Sequence, residues 1–298
     1  MPVFAGIELG GTKCVCTLAH GPGAIVEQRT IPTQQPEPTL GAIDGILDRW
    51  AHDHPFAAIG IGSFGPVDLD PDSANYGYVL ATNKGGWTMT DVARRLSSRH
   101  PVPMAFDTDV NGAALAEMAW GAGKGLSDFA YVTVGTGVGV GLIVRGQPTR
   151  GVGHSELGHI LVPRLDGDDG PSACRFHRDC VEGLASGPAI EAVLGETPVS
   201  DIAADHPVWT RVADAVAKLC HSLICTTGPQ RIAVGGGVFM KQDHLLPRIE
   251  PMLRASLNGY LSLPANGPYI VPPSLGAQAG PLGSIALARA ALAVEPGH

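Results

Sequence analysis

The sequence predicts a duplicated α/β fold, and two observations carry that prediction. Each half of the chain opens on short apolar strands broken by a glycine turn, at 10–13 and again at 135–137, and then alternates between helical and strand patterning. Most of the 40 glycines sit in tight clusters, which marks loops built from backbone and not low-complexity sequence. Two such halves imply two lobes on either side of a cleft.

The elements follow in order. Residues 3–9, 14–19 and 25–31 read as three strands, separated by GGTK and by a Gly-Pro-Gly turn. Residues 39–50 have helical apolar spacing, and 57–62 form a buried strand. After a Pro/Gly/Asp-rich stretch up to Trp87 come a helix near 90–99, a strand at 104–107 and a helix at 111–120. The second half repeats the scheme, with strands at 129–134, 138–144 and 160–162, helices at 208–227 and 245–258, and a strand at 232–234 between those helices. A last helix covers 282–293.

Composition narrows the class. The chain has 298 residues, 44% hydrophobic and 16% charged, which suits a globular enzyme with a sizeable core. A net charge of −8 argues against a nucleic-acid or anionic-membrane surface, since either needs clustered Lys and Arg. No run of about 20 apolar residues is long enough to span a bilayer. The start, MPVFAGIELGG, has neither a basic leader nor an apolar signal core, so the expected setting is the cytoplasm.

Of the six cysteines, Cys14 and Cys16 alternate along an apolar strand, and Cys220 and Cys225 lie in an apolar helix. Cys174 and Cys180 stand in a polar loop with His177, downstream of His159, in the pattern H-x14-C-x2-H-x2-C. Four such donors suit tetrahedral Zn²⁺, and a full set leaves no open coordination position. That spacing predicts a structural metal site, not a Lewis-acid catalyst.

Gly10-Gly11-Thr12-Lys13, Gly135-Thr136-Gly137 and Gly235-Gly236-Gly237 each follow a predicted strand. Glycine lets backbone N–H groups approach a phosphate, and a Thr hydroxyl can donate to it. Neither hairpin loop has the P-loop spacing or the dinucleotide G-x-G-x-x-G. One such turn alone reads as an ordinary hairpin; three of them suit a nucleotide with its phosphates among the loops.

These motifs, in order, resemble the ROK family of sugar kinases and repressors. The match runs from IELGGTK through GSFGPVDL at 62–69, FDTDVNGAALAE at 106–117 and VGTGVGVG at 134–141. It continues through ELGH at 156–159, CRFHRDCVEGLASGPAI at 174–190 and VGGGV at 234–238. The resemblance implies the two-lobed actin/hexokinase-like (ribonuclease H-like) ATPase fold, with duplicated βββαβαβα halves around a central cleft. It implies a small lobe at 1–110, onto which a C-terminal helix at about 282–298 packs back, and a large lobe at 111–281 with a zinc loop at 159–182. Sugar repressors of the family carry an N-terminal winged helix; the first glycine loop here begins at Gly10, so a kinase is expected.

The resemblance also assigns roles. Asp109, at a strand end before a helix, matches the family's catalytic aspartate and would be the general base. Asp107 is its rival by strand alternation, and a helix N-cap is the alternative reading of Asp109. Glu8 matches an acidic residue near the metal–phosphate group, able to hold Mg²⁺ through water. Glu156, Glu182 and His159 match sugar-hydroxyl contacts, with the zinc knot fixing the carboxylates. Thr108 stands where many relatives have Asn, at a sugar contact, and His154 is a further candidate there. Asn83, in ATNKGGW, matches glucokinase-like relatives, whereas His177 and the stretches FGPVDL, NYGYV and FDTDVN match the fructokinase-like branch. The expected substrates are a hexose and ATP, with fructose favoured over glucose, mannose or an amino sugar. A homodimer is expected from the resemblance, and a non-catalytic sugar sensor is the rival of a different class.

Overall fold

The computed structural model describes residues 1–293. In chain order the first part runs β1 (Phe4–Leu9), β2 (Lys13–Ala19), β3 (Ile25–Pro32), α1 (Pro36–Asp53), β4 (Ile59–Ser63), β5 (Tyr78–Val79), β6 (Thr90–Asp91), α2 (Ala93–Ser97), β7 (Met104–Thr108) and α3 (Asp109–Trp120). The rest runs β8 (Phe129–Val134), β9 (Val138–Val144), β10 (Gln147–Pro148), α4 (Val181–Ala185), α5 (Gly187–Leu194), α6 (Pro207–Thr226), β11 (Arg231–Gly235), α7 (Leu246–Leu257), β12 (Ile270–Val271) and α8 (Ala279–Ala293).

Contacts divide the chain into two compact units. One holds 1–124, 148–154 and the C-terminal part from Ala277; the other holds 125–147 and 155–276. Each has a five-stranded sheet of the same design, β3-β2-β1-β4-β7 in the first and β10-β9-β8-β11-β12 in the second. β1 and β2 pair antiparallel, as do β8 and β9, while β4 joins β1, and β11 joins β8, in parallel. The parallel joints require crossover connections, which α1 supplies in one unit and α6, with the helices before it, in the other.

The sequence expectation divided the chain at 110. The contacts instead keep α3 in the first unit, because α3 lies directly against α8. Gly112 and Gly283 make that crossing: a Cβ on Gly283 would lie 2.5 Å from the Gly112 carbonyl carbon, so the two backbones touch. Part of the helix expected to about residue 298 lies outside the described residues, and α8 begins at Ala279, earlier than the apolar spacing suggested.

Local chemistry explains the other differences. Residues 90–99 are not one helix: Thr90–Asp91 pair with β5, and the Asp91 carboxylate accepts the Arg94 amide at 3.0 Å to start the short α2. The strand expected at 160–162 is reduced to an isolated bridge between Leu161 and Cys180.

The first unit packs Trp50, Trp87, Ile7, Ile61 and both Cys14 and Cys16 into its core. The second packs β8, β9 and β11 against α6, whose Trp209, Val212, Val216, Leu219 and Leu223 recur at helical spacing. Cys220 is buried in that core, but Cys225, the penultimate residue of α6, is exposed; none of the six cysteines is in a disulfide. No helix among the described residues is long and apolar enough to cross a membrane.

Gly283→Val should lower stability by about 1–3 kcal/mol, as overpacking of a tight contact does. An exposed control, Gly41→Ala inside α1, has open space around it and should raise stability by about 0.5–1 kcal/mol; thermal unfolding of the two variants checks the opposite signs.

Candidate functional site

In the first unit the GGTK turn closes the β1–β2 hairpin. The Gly10 amide donates to the Lys13 carbonyl at 3.1 Å, and a Cβ on Gly10 would come within 2.7 Å of that oxygen. The turn is held from outside: Thr33 donates its hydroxyl to the Gly10 carbonyl at 2.6 Å, and its amide donates to the Thr12 carbonyl at 2.9 Å. Lys84, beside the exposed Asn83, donates to the Gly11 carbonyl and, at 3.4 Å, to that of Thr33. Gly11, Thr12 and Lys13 are themselves exposed, so the loop offers its face to solvent.

Glu8 sits at the end of β1 against the first turn of α8. Gly280 has no room for a side chain, since a Cβ there would fall on the Glu8 carboxylate. Burial pushes the Glu8 carboxyl above its usual range, and the Lys13 ammonium pulls it partly back.

The β7–α3 turn carries the two rival aspartates. Thr108, and not Asp109, caps α3: its hydroxyl accepts the Asn111 amide at 3.1 Å, and the side chain is buried. Asp109 is the first helical residue, half-buried, with Oδ1 accepting the Val110 amide at 2.8 Å. Gly62 on β4 lets this turn come close, since a Cβ there would lie 3.3 Å from Asp109 Cα. Asp107 is buried, and both its oxygens are engaged, Oδ1 by the Thr108 amide at 2.6 Å and Asn111 Nδ2 at 2.8 Å, Oδ2 by Arg150. His154 accepts the Val67 amide on Nε2 at 3.0 Å.

In the second unit the loop Gly135-Thr136-Gly137 closes the β8–β9 hairpin, with the Gly135 amide on the Gly137 carbonyl at 2.8 Å. The first residue of α5 donates its amide to the Gly135 carbonyl at 2.7 Å. Gly236, of the 235–237 run, takes φ 94°, a conformation that disfavours any side chain. Glu182, on α4, accepts the Val138 amide at 3.0 Å, and Gly137 lacks the Cβ that would crowd it.

The metal-type cluster lies beside Glu182. Donor atoms of His159, Cys174, His177 and Cys180 all fall within 4.8 Å of one another. His159 turns Nδ1 to the sulfurs of Cys174 (3.7 Å) and Cys180 (3.8 Å), and His177 turns Nδ1 to Cys174 at 3.6 Å. The opposite nitrogen of His159, Nε2, lies 3.8 Å from Glu182 Oε1. Burial, with Cys174 adding to it, pushes the Cys180 thiol up to about 11, so thiolates packed this closely need a cation to be stable. Two thiols and two imidazoles converging on one point fit a tetrahedral metal ion, and these four side chains would hold it.

Two arginines frame the loop. Arg164 bridges the Asp179 carboxylate at 2.6 Å and the Gly170 carbonyl at 2.6 Å, and Arg211 reaches Asp168 at 3.0 Å. Glu156 is exposed and precedes the short 3-10 turn Leu157–His159.

Sequence reasoning missed Arg150, Lys84, Gly62 and Gly280. None carries a local signal, because each acts on a residue far away in the chain.

Two units of matching strand order, each with a glycine loop on its leading hairpin, define an ATPase of the actin/hexokinase-like class. The chain belongs to the ROK family, whose profile matches residues 4–291. It is 41% identical over 290 residues to a fructokinase of Pediococcus pentosaceus, covering 97% of this chain and 99% of that one. Among solved structures it is similar to a ROK hexokinase from Thermus thermophilus, with TM-score 0.80, 27% identity and coverage of 99% and 100% of the two chains. It is also similar to a ROK glucokinase from Streptomyces griseus in complex with glucose and AMPPNP, with TM-score 0.75, 26% identity and coverage of 97% and 99%.

Gly280→Ala should displace Glu8 while leaving the fold intact. A shift of about 1 Å in a catalytic array costs up to ~100-fold in rate, so a marked fall in kcat is expected if Glu8 serves the phosphates. Steady-state kinetics beside circular dichroism checks it.

Proposed function

We propose that this protein is an ATP-dependent hexose kinase that phosphorylates fructose, with Asp109 as the general base. The observation that carries the base assignment is the commitment of Asp107. Asp107 is buried, and a guanidinium, a side-chain amide and a backbone amide take three of its about four acceptor sites, which ill suits it to receive a substrate hydroxyl. Asp109, in the first turn of α3, sits where the helix dipole favours negative charge.

Phosphoryl transfer asks mainly for positioning and charge neutralisation. Asp109 would accept the hydroxyl proton as that oxygen forms its bond to the γ-phosphorus and the bond to the leaving ADP breaks. Within the loops Gly10–Lys13, Gly135–Gly137 and Gly235–Gly237, backbone amides other than those of Gly10 and Gly135, which close their own turns, would hold nucleotide phosphates, with the hydroxyls of Thr12 and Thr136 adding donors. Mg²⁺, accompanying ATP and held near Glu8 through water, would neutralise phosphate charge. Sugar hydroxyls would be received by Glu156, Glu182 and His159, with Asn83 and Thr108 as further candidates, although the Thr108 hydroxyl already caps α3. The contact of His154 Nε2 with the Val67 amide favours a loop-fixing role for His154 over a sugar contact.

The metal in this reading is Zn²⁺, held by His159, Cys174, His177 and Cys180 and structural in purpose. It would supply a rigid anchor for His159, which lies beside Glu182. The reading includes a homodimer in the cytoplasm, which sedimentation and fractionation address. Fructose is preferred over glucose because the fructokinase relative is 41% identical and the glucokinase structure 26%.

ADP release with Mg-ATP should be fastest with fructose among fructose, glucose, mannose and N-acetylglucosamine. A preference for another hexose would keep the kinase and discard the substrate assignment; silence on all four would favour the sugar sensor. Asp109→Asn should abolish turnover, a loss of at least about 100-fold, while fructose still binds by calorimetry.

Zinc added to metal-stripped enzyme at pH 7.5 should release about two protons per ion as the thiols ionise. Cys180→Ser should lose the metal and unfold at lower temperature; a variant as stable as the parent would remove the structural role.

A further inference from the structure

We propose that Arg150 is a positioning residue for phosphoryl transfer, fixing the β7–α3 turn that presents Asp109 by neutralising the buried Asp107. The inference rests on the reading of Asp109 as the base.

Asp107 is 3% exposed, and its only ion-pair partner among the described residues is Arg150. From that pair the contacts run to both sides of Asp109. Asp107 Oδ1 receives the Thr108 amide at 2.6 Å and Asn111 Nδ2 at 2.8 Å, and the Asn111 amide returns to the Thr108 hydroxyl at 3.1 Å. Residues 107, 108 and 111 thus form one closed polar network, and residue 109 is the corner it encloses. Tyr76, of the NYGYV stretch, borders the same network. Its ring meets Phe106, the residue before Asp107, edge-on at 6.3 Å.

Arg150 itself is held. It belongs to residues 148–154, which join the first unit, and His154 at the end of that segment accepts the Val67 amide. The guanidinium therefore approaches Asp107 from a segment tied down four residues further on.

The physical consequence is specific. A buried carboxylate stripped of its cation is strongly destabilised where it stands. With Arg150 gone from Oδ2, nothing holds the plane of the carboxylate, and its rotation carries Oδ1 away from the Thr108 amide and Asn111 Nδ2. The turn then loses the contacts that fix Asp109, while Glu156, Glu182, His159 and the glycine loops lie outside it; Thr108, the one sugar candidate inside the turn, already spends its hydroxyl on the α3 cap. The defect should fall on the chemical step and not on substrate binding.

The test compares Arg150→Met, Arg150→Lys, Asp107→Asn and the double variant Arg150→Met/Asp107→Asn by steady-state kinetics with fructose and Mg-ATP, each beside a thermal unfolding curve. Arg150→Met should lower kcat by about 10- to 100-fold, the cost of a displaced catalytic group, with KM for sugar and ATP within about threefold. Arg150→Lys should retain most of kcat, and adding Asp107→Asn to Arg150→Met should recover part of the lost rate by removing the buried charge. If Arg150→Met gives no folded protein, Arg150→Gln carries the same expectation.

A normal kcat in folded Arg150→Met or Arg150→Gln overturns the inference, whatever the shift in unfolding temperature. So does a rise in KM alone. Asp109→Asn separates the two readings: if it is inactive while Arg150→Met turns over normally, only the role of Arg150 falls. If Asp109→Asn itself turns over normally, both readings fall.

Discussion

The close approach of α8 to its neighbours governs the first unit. Gly283 meets Gly112 of α3 backbone to backbone, Gly280 leaves room for the Glu8 carboxylate, and Ser284 lies on Gly6 and Gly60 of the sheet. Glu8 at the end of β1 and Asp109 at the start of α3 are therefore both positioned by one helix that returns from the far end of the chain. Close-packed interiors transmit such constraints, because a backbone contact without side chains has no slack to absorb a displacement.

The second unit obtains rigidity differently. Its loop from Pro163 to Cys180 contains little regular structure, and long irregular loops are costly to fix. Here Arg164 and Arg211 tie the loop to Asp179 and Asp168 and to backbone carbonyls, and the four donors of the metal-type cluster converge inside that frame. Glu182 follows Cys180 by two residues and is pinned again by the Val138 amide. A side chain fixed from two directions keeps its orientation without needing burial, which suits a carboxylate meant to meet a polar ligand.

Much of this was legible in the sequence. The strands at 129–134 and 138–144 match β8 and β9 residue for residue, because apolar alternation interrupted by GTG leaves few other readings. The spacing of His159, Cys174, His177 and Cys180 identified the cluster, since closely spaced soft donors have few other uses in a polar loop. What failed were segments whose local pattern was ambiguous. Thr90 and Asp91 look helical until their pairing with β5 is known, and residues 160–162 look like a strand that finds only Cys180 to bridge.

The sequence by itself determined the duplicated α/β scheme, the glycine loops, the metal-type ligand set and the two aspartates from which a base could be drawn. The tertiary structure decided which aspartate is already committed. Asp107 meets Arg150 across 43 residues, and Glu8 meets Gly280 across most of the chain. Periodicity and spacing report neighbours within a turn or a strand. A buried charge, by contrast, is defined by whatever the fold brings to it, and no local pattern names that partner.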